Sequence, residues 1–219
     1  WANVTSGAQS YGNINAAQSV AAAPAALVTL AADVPDGQVV DLDLVATNGA
    51  LTWNSTVLLT VSAPRLSVAS VTFGGPGGSI DPGEGGALTV TLANGGSLAS
   101  GALTATLSTT SPWLSVTDAD GAFPAVALGG SGSNAGAPFA VYASTECFTG
   151  HLAPCTLVLS SGGETVAELP FVVTVGTQMA HSPTGPDAYG YYAFDDTDVA
   201  SGHAPVYDWV ELTPALEAF

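Results

Sequence analysis

Residues 87–108 read ALTVTLANGGSLASGALTATLS: two alternating runs, ALTVTLAN and ALTATLS, joined by a glycine- and serine-rich turn. Leu and Val recur at every second position with Thr and Ala between them, the period of a strand that buries one face and wets the other. A helix would need apolar residues three and four apart, and no segment of the chain sustains that spacing. Similar runs lie on both sides: LSVASVTF at 66–73, TLVLSS at 156–161 and PFVVTVG at 170–176. Between them, GGPGGSIDPGEGG and GGSGSNAG are turn chemistry, and the 26 Gly and 14 Pro of the chain belong largely to such punctuation. Short strands at this turn spacing predict an all-β chain built of immunoglobulin-like β-sandwich repeats.

An internal repeat extends that expectation. WLSVT at 113–117 echoes WANVT at 1–5, so that Trp1 aligns with Trp113, Val4 and Thr5 with Val116 and Thr117, Tyr11 with Phe123 and Ile14 with Val126. After a short slip, residues 24–44 follow 138–157, and STVLLTVSAP at 55–64 follows AELPFVVTVG at 167–176. The period is about 110 residues, the size of one immunoglobulin-like sandwich. Residues 65–176 therefore read as a complete module, and residues 1–64 as only the second half of one, with no counterpart of the strands at 65–112. Such a half-module leaves an apolar face and a sheet edge open, which invites pairing with another chain. The opening on Trp1, without initiator methionine or signal peptide, reads as the start of a processed product. Residues 177–219 form an extended, aromatic-rich tail.

Composition narrows the function. Of 219 residues, 47% are hydrophobic, enough for a packed core, and only 9% are charged. One cation, Arg65, faces 18 Asp and Glu, for a net charge of −17. Nucleic-acid binding draws its affinity from cations that neutralise phosphates, so that class is excluded, and anionic membranes repel the same surface. No apolar run is long enough to insert in a membrane as a helix; the stretch at 16–34 is interrupted by Pro24 and polar residues. Cations and neutral polysaccharide remain as partners, while a saline or acidic habitat accounts for the acid excess equally well.

Several residues are candidates for sites. In the tail, Tyr189, Tyr191, Tyr192 and Phe194 of YGYYAF, and Tyr207, Trp209 and Val210 of PVYDWVEL, alternate like donor strands. Added to the open edge of another copy, they would build a head-to-tail homopolymer; packing on their own module is the other reading. Cys147 and Cys155 flank FTGHLAP, a segment short enough for the two ends of a hairpin, which predicts a disulfide in an oxidising compartment, with two buried thiols as the alternative. Asn3 and Asn54 open glycosylation sequons and fit a secreted glycoprotein. Asp118 and Asp120 in DADG, and Asp195, Asp196 and Asp198 in FDDTDV, offer hard oxygen ligands for Ca²⁺ or serve as ordinary turn aspartates. Trp53, in the apparent loop NGALTWNST, is the best exposed tryptophan for stacking on a sugar. Catalysis is not expected. There is no G-x-S-x-G elbow, His151, His181 and His203 have no evident orienting acid, and a cysteine thiolate beside His151 would lack positive surroundings.

Residues 81–123, DPGEGGALTVTLANGGSLASGALTATLSTTSPWLSVTDADGAF, resemble the tandem immunoglobulin-like modules of large secreted bacterial peptidases of the gingipain type and of related surface adhesins. The tail GPDAYGYYAFDDTDVASGHAPVYDWVEL resembles the connector that follows such modules. That resemblance implies a secreted or surface-attached, non-catalytic sandwich array. Together with the open half-module it suggests an extracellular filament or surface-layer subunit joined by strand complementation, or an adhesion or glycan-binding accessory module of a large secreted enzyme.

Overall fold

In a computed structural model of the chain, residues 1–178, 182–185, 187, 189–200 and 203–206 are described. The strands run β1 (Ala2–Ser6), β2 (Leu27–Leu30), β3 (Val39–Asn48), β4 (Leu51–Thr60), β5 (Leu66–Phe73), β6 (Gly85–Asn94) and β7 (Leu103–Thr109). They continue with β8 (Leu114–Asp118), β9 (Asp120–Phe123), β10 (Ser131–Ser133), β11 (Phe139–Ala143), β12 (His151–Ser161) and β13 (Glu164–Val175). Strands dominate the described residues, and the fold is all-β, as the alternation predicts; helix is confined to single 3₁₀ turns at Pro76–Gly78 and Asp198–Ala200.

Residues 66–175 make a sandwich of two antiparallel sheets. In one, β6 pairs β5 on one edge and β10 followed by β11 on the other, and β8 closes the far side of β11. The second has the order β13-β12-β7-β9. The alternation read in the sequence is realised residue by residue. Leu88, Val90 and Leu92 of β6 are buried and meet Leu103, Ala105 and Leu107 of β7 and Ala153, Cys155, Leu157 and Leu159 of β12 in one core. The Thr, Ser and Val residues between them face outward. Gly162 and Gly163, both at positive φ, form the two-residue loop between β12 and β13, a conformation that glycine adopts without steric cost.

Residues 1–60 hold two separate two-stranded sheets, β1-β2 and β3-β4. Their registers reproduce the second half of the sandwich. Ala2 pairs Leu30 and Val4 pairs Val28, as Leu114 pairs Ala143 and Val116 pairs Val141, and both ladders shift register at the next step. The β3-β4 hairpin repeats β12-β13, each closed by a two-residue loop, Asn48 to Leu51 and Ser161 to Glu164. β13 carries a register shift opposite Leu159 and Ser160 that β4 lacks, which accounts for the slip in the sequence alignment.

Trp53 lies in β4, not in a loop. It pairs Ala46, on the sheet face shared by Leu44, Leu42 and Val40. Gly49 supplies the turn, and the strand starts at Leu51, immediately after it.

Candidate functional site: an open sheet face and a docked tail

The repeat supplies an internal control for what residues 1–60 leave uncovered. Tyr11 is 41% exposed where its counterpart Phe123 is 2%, Ile14 is 51% where Val126 is 0%, and Leu44 is 46% where Leu157 is 0%. Trp1, Val4, Leu30, Trp53, Val57 and Leu59 are exposed as well, and Val28, Val40 and Leu42 only half-buried. A cleft opens between the two small sheets, lined by Trp1, Ala2, Val4, Val40 and Leu42. In the complete sandwich, β11 pairs β6 and β12 pairs β7. The corresponding strands, β2 and β3, have no strand on those edges among the described residues. Contiguous apolar surface of this kind beside open sheet edges marks an interaction site in a soluble protein.

The two modules meet at an anchor that the sequence did not reveal. The Asp36 carboxylate accepts a hydrogen bond from the Ala63 N–H at 2.9 Å and another from the Ser97 hydroxyl. The Ser97 hydroxyl above all, then the Ala63 amide, holds the Asp36 carboxyl below its ordinary value. The Ser97 and Leu98 amides bind the Ala63 carbonyl, and Asn94 accepts from the Arg65 and Gly96 amides. A Cβ at Gly96 would collide with the Ala63 carbonyl and the Arg65 amide, so that close approach requires glycine. The PDG turn around Asp36 carried a turn signal, but a side chain's partners 61 residues away have no local signature.

At the other end of the complete sandwich the tail folds back. The Tyr192 ring stacks on Phe148 with centroids 4.0 Å apart, and Phe194 tilts against the same ring at 5.8 Å. Phe148 also meets Trp113 edge-on and His203 at 4.7 Å. His203 Nε2 lies 2.7 Å from the Glu146 carbonyl oxygen. His151, buried at the start of β12, lies with Nε2 2.8 Å from Ser111 Oγ and Nδ1 3.3 Å from the Tyr192 hydroxyl. Burial lowers the His151 pKa, so the ring is neutral near pH 7, and one nitrogen donates while the other accepts. Ser111 also accepts the Trp113 N–H at 3.2 Å. The chain Ser111–His151–Tyr192 ties the tail to the module.

The tail residues named from the sequence thus divide. Tyr192 and Phe194 pack on their own module, Tyr189 and Tyr191 are exposed, and Tyr207, Trp209 and Val210 lie outside the described residues, as does His181. The expected strand at YGYYAF reduces to one bridge between Thr184 and Ala193, with Asp187 accepting the Tyr189 and Tyr191 amides at 2.9 Å. Here the carboxylate turns the backbone, and the ring contacts with Phe148 replace a ladder.

The disulfide expectation is overturned: Cys147 and Cys155 are both free and buried. They are not the ends of a hairpin. Cys147 sits in the turn before β12, whereas Cys155 lies within β12 with Phe171 and Thr109 as its cross-strand neighbours. Burial pushes the Cys147 thiol up to about 11 and raises Cys155 as well, which opposes a reactive thiolate.

The aspartates named for calcium serve turns. Asp118 accepts the Asp120 amide, Asp195 accepts the Thr197 amide and hydroxyl, and Asp198 caps the Asp195 amide at 2.6 Å. Asp196 is exposed beside them. Among the described residues no group of three or more His, Cys, Asp or Glu could hold a metal ion. Asn3 on β1 and Asn54 on β4 are exposed, and no described helix is long and apolar enough to cross a membrane. Compared with models of known protein families and with curated proteins, the chain matches none.

Proposed function

We propose that the chain is a non-catalytic, extracellular β-sandwich array whose residues 1–60 accept strands from another polypeptide segment. The observation that carries this reading is the contrast between equivalent positions: the residues that build the core at 113–175 are exposed at 1–60, beside the open edges of β2 and β3. Main-chain pairing along those edges supplies affinity, and side chains entering the cleft between the sheets supply selectivity. The resemblance of residues 81–123 to the modules of secreted peptidases and adhesins supports an accessory role in adhesion or polysaccharide binding. The docked tail favours it too, since Tyr192 and Phe194 are engaged within their own module.

The open edges also support a second reading, a structural subunit of a filament or surface layer assembled head to tail from copies of this chain, with residues 207–219 as donor. Electron microscopy and sedimentation of the full chain, with and without residues 177–219, separate the two. Filaments lost on removing the tail assign the subunit reading. Single particles in both forms, with saturable retention on a polysaccharide, assign the accessory one. Trp1 and Trp53 fully shielded in a dilute monomer would refute strand acceptance in either form.

A further inference from the structure

The complete module states what the open face lacks. β6 lies along β11, and β7 lies along β12 while also pairing β9. The corresponding lines in residues 1–60 are the free edges of β2 and β3, together with the unpaired stretch around Tyr11, the counterpart of Phe123 at the end of β9. In the complete module β6 and β7 are consecutive strands, so one crossover places a strand in each sheet.

Two nearby occupants fail on length and on number. From Gly85 to Thr109, the two strands and their connection span 25 residues, whereas the chain beyond the described tail, residues 207–219, offers 13. A second copy fares no better through its own β5–β7. Each copy contains two half-modules of one design, residues 1–61 and 113–175, and one three-strand segment between them. A copy that lends β5–β7 to a neighbour opens its own core, so exchange among identical copies leaves as many open faces as before.

Resting on the acceptor reading above, we infer that residues 1–60 are completed by a three-strand segment of a partner polypeptide with the β5–β7 pattern. Its second strand lies antiparallel along β2 and its third along β3. The partner segment presents alternating Leu and Val toward Val4, Leu30, Leu44 and Trp53, as Leu88, Val90, Leu92, Ala105 and Leu107 do in the complete module. It carries little positive charge, since the face it meets is apolar rather than acidic. Tyr11 and Ile14 become buried as Phe123 and Val126 are, once the third strand gives residues 8–11 a partner.

The test duplicates residues 65–112 immediately before Trp1 in the full chain. This is the connection that the complete module makes, where β7 ends at Thr109 and β8 begins at Leu114. A control carries the same graft with Leu88→Asp and Leu92→Asp in the duplicated copy only. The expected result is a monomer with blue-shifted Trp1 and Trp53 emission. Amide exchange in β2 and β3 should slow by two or more orders of magnitude, and the control should show neither change. A graft that leaves β2 and β3 exchanging as fast as the parent chain overturns the identity of the occupant, while Trp1 and Trp53 still open to quencher in the parent keep the acceptor reading intact. If the parent, dilute and monomeric, already shields both tryptophans, the acceptor reading itself falls. Equal protection by graft and control also overturns the inference, because the pairing would then not depend on the β6 pattern.

Discussion

At the residue scale, burial governs the chemistry of the groups that looked reactive in the sequence. Cys147 and Cys155 suggested a bridge because they lie close in the chain, but β12 carries Cys155 into the core while Cys147 remains in the preceding turn. Two thiols per chain should titrate in denaturant without reductant, and in the folded protein near pH 8 both should react with iodoacetamide at least tenfold more slowly than in denaturant. A single free thiol or none would contradict the structure. His151 sets a pH window. Its folded pKa is lowered by burial, so the unfolded chain takes up a proton first as pH falls. Its contribution is therefore fully present above the ordinary histidine value of 6.5 and is lost as pH falls through 6.5 toward the folded pKa. Thermal denaturation of the wild type should weaken over that interval, and His151→Gln should flatten the dependence there. Aspartates that resembled calcium ligands in composition prove to be turn and cap acceptors, because a carboxylate next to a free backbone amide satisfies it at once.

At the scale of elements, the same sequence pattern gives different burial according to what pairs beside it. Leu44 and Leu157 each stand four residues before a two-residue hairpin loop, on equivalent strands β3 and β12. Leu157→Ala should cost about 2 to 5 kcal/mol of unfolding free energy, the range for emptying a packed core position. Leu44→Ala in the monomer should stay within about 0.5 kcal/mol, since the side chain is still in water. Urea unfolding monitored at Trp113 for the first variant and at Trp53 for the second would measure both, and equal costs would mean that β3 is already covered. Strand existence in β5, β6, β7, β12 and β13 was legible from alternation, as was the repeat. The tail was misread because YGYYAF has the period of a strand but no sheet edge to join; its aromatic side chains found Phe148 instead. Trp53 was misread for the opposite reason, since a two-residue turn needs so little sequence that the strand after it looked like a continuation of the loop.

For the molecule as a whole, a finished sandwich carries an open half-sandwich on one side and a docked tail on the other. Asp36, Gly96 and Ser97 fix the first junction, and Phe148 with Tyr192 and Phe194 the second. Strand complementation is thus a property of residues 1–60, while the complete module serves as a rigid support. The sequence by itself determined the all-β class, the repeat and the half-module, because a period of two and a recurrent WxxVT are local facts carried by the residues themselves. It also set the chemistry that the surface excludes, through a single cation among 18 acids. Only the tertiary structure decided which sheet faces lie open, that the cysteines stand apart, that Asp36 pins the junction and that Tyr192 closes on Phe148. Each of those depends on partners brought together from distant parts of the chain, and a contact across tens of residues leaves no periodic trace in the residues that make it.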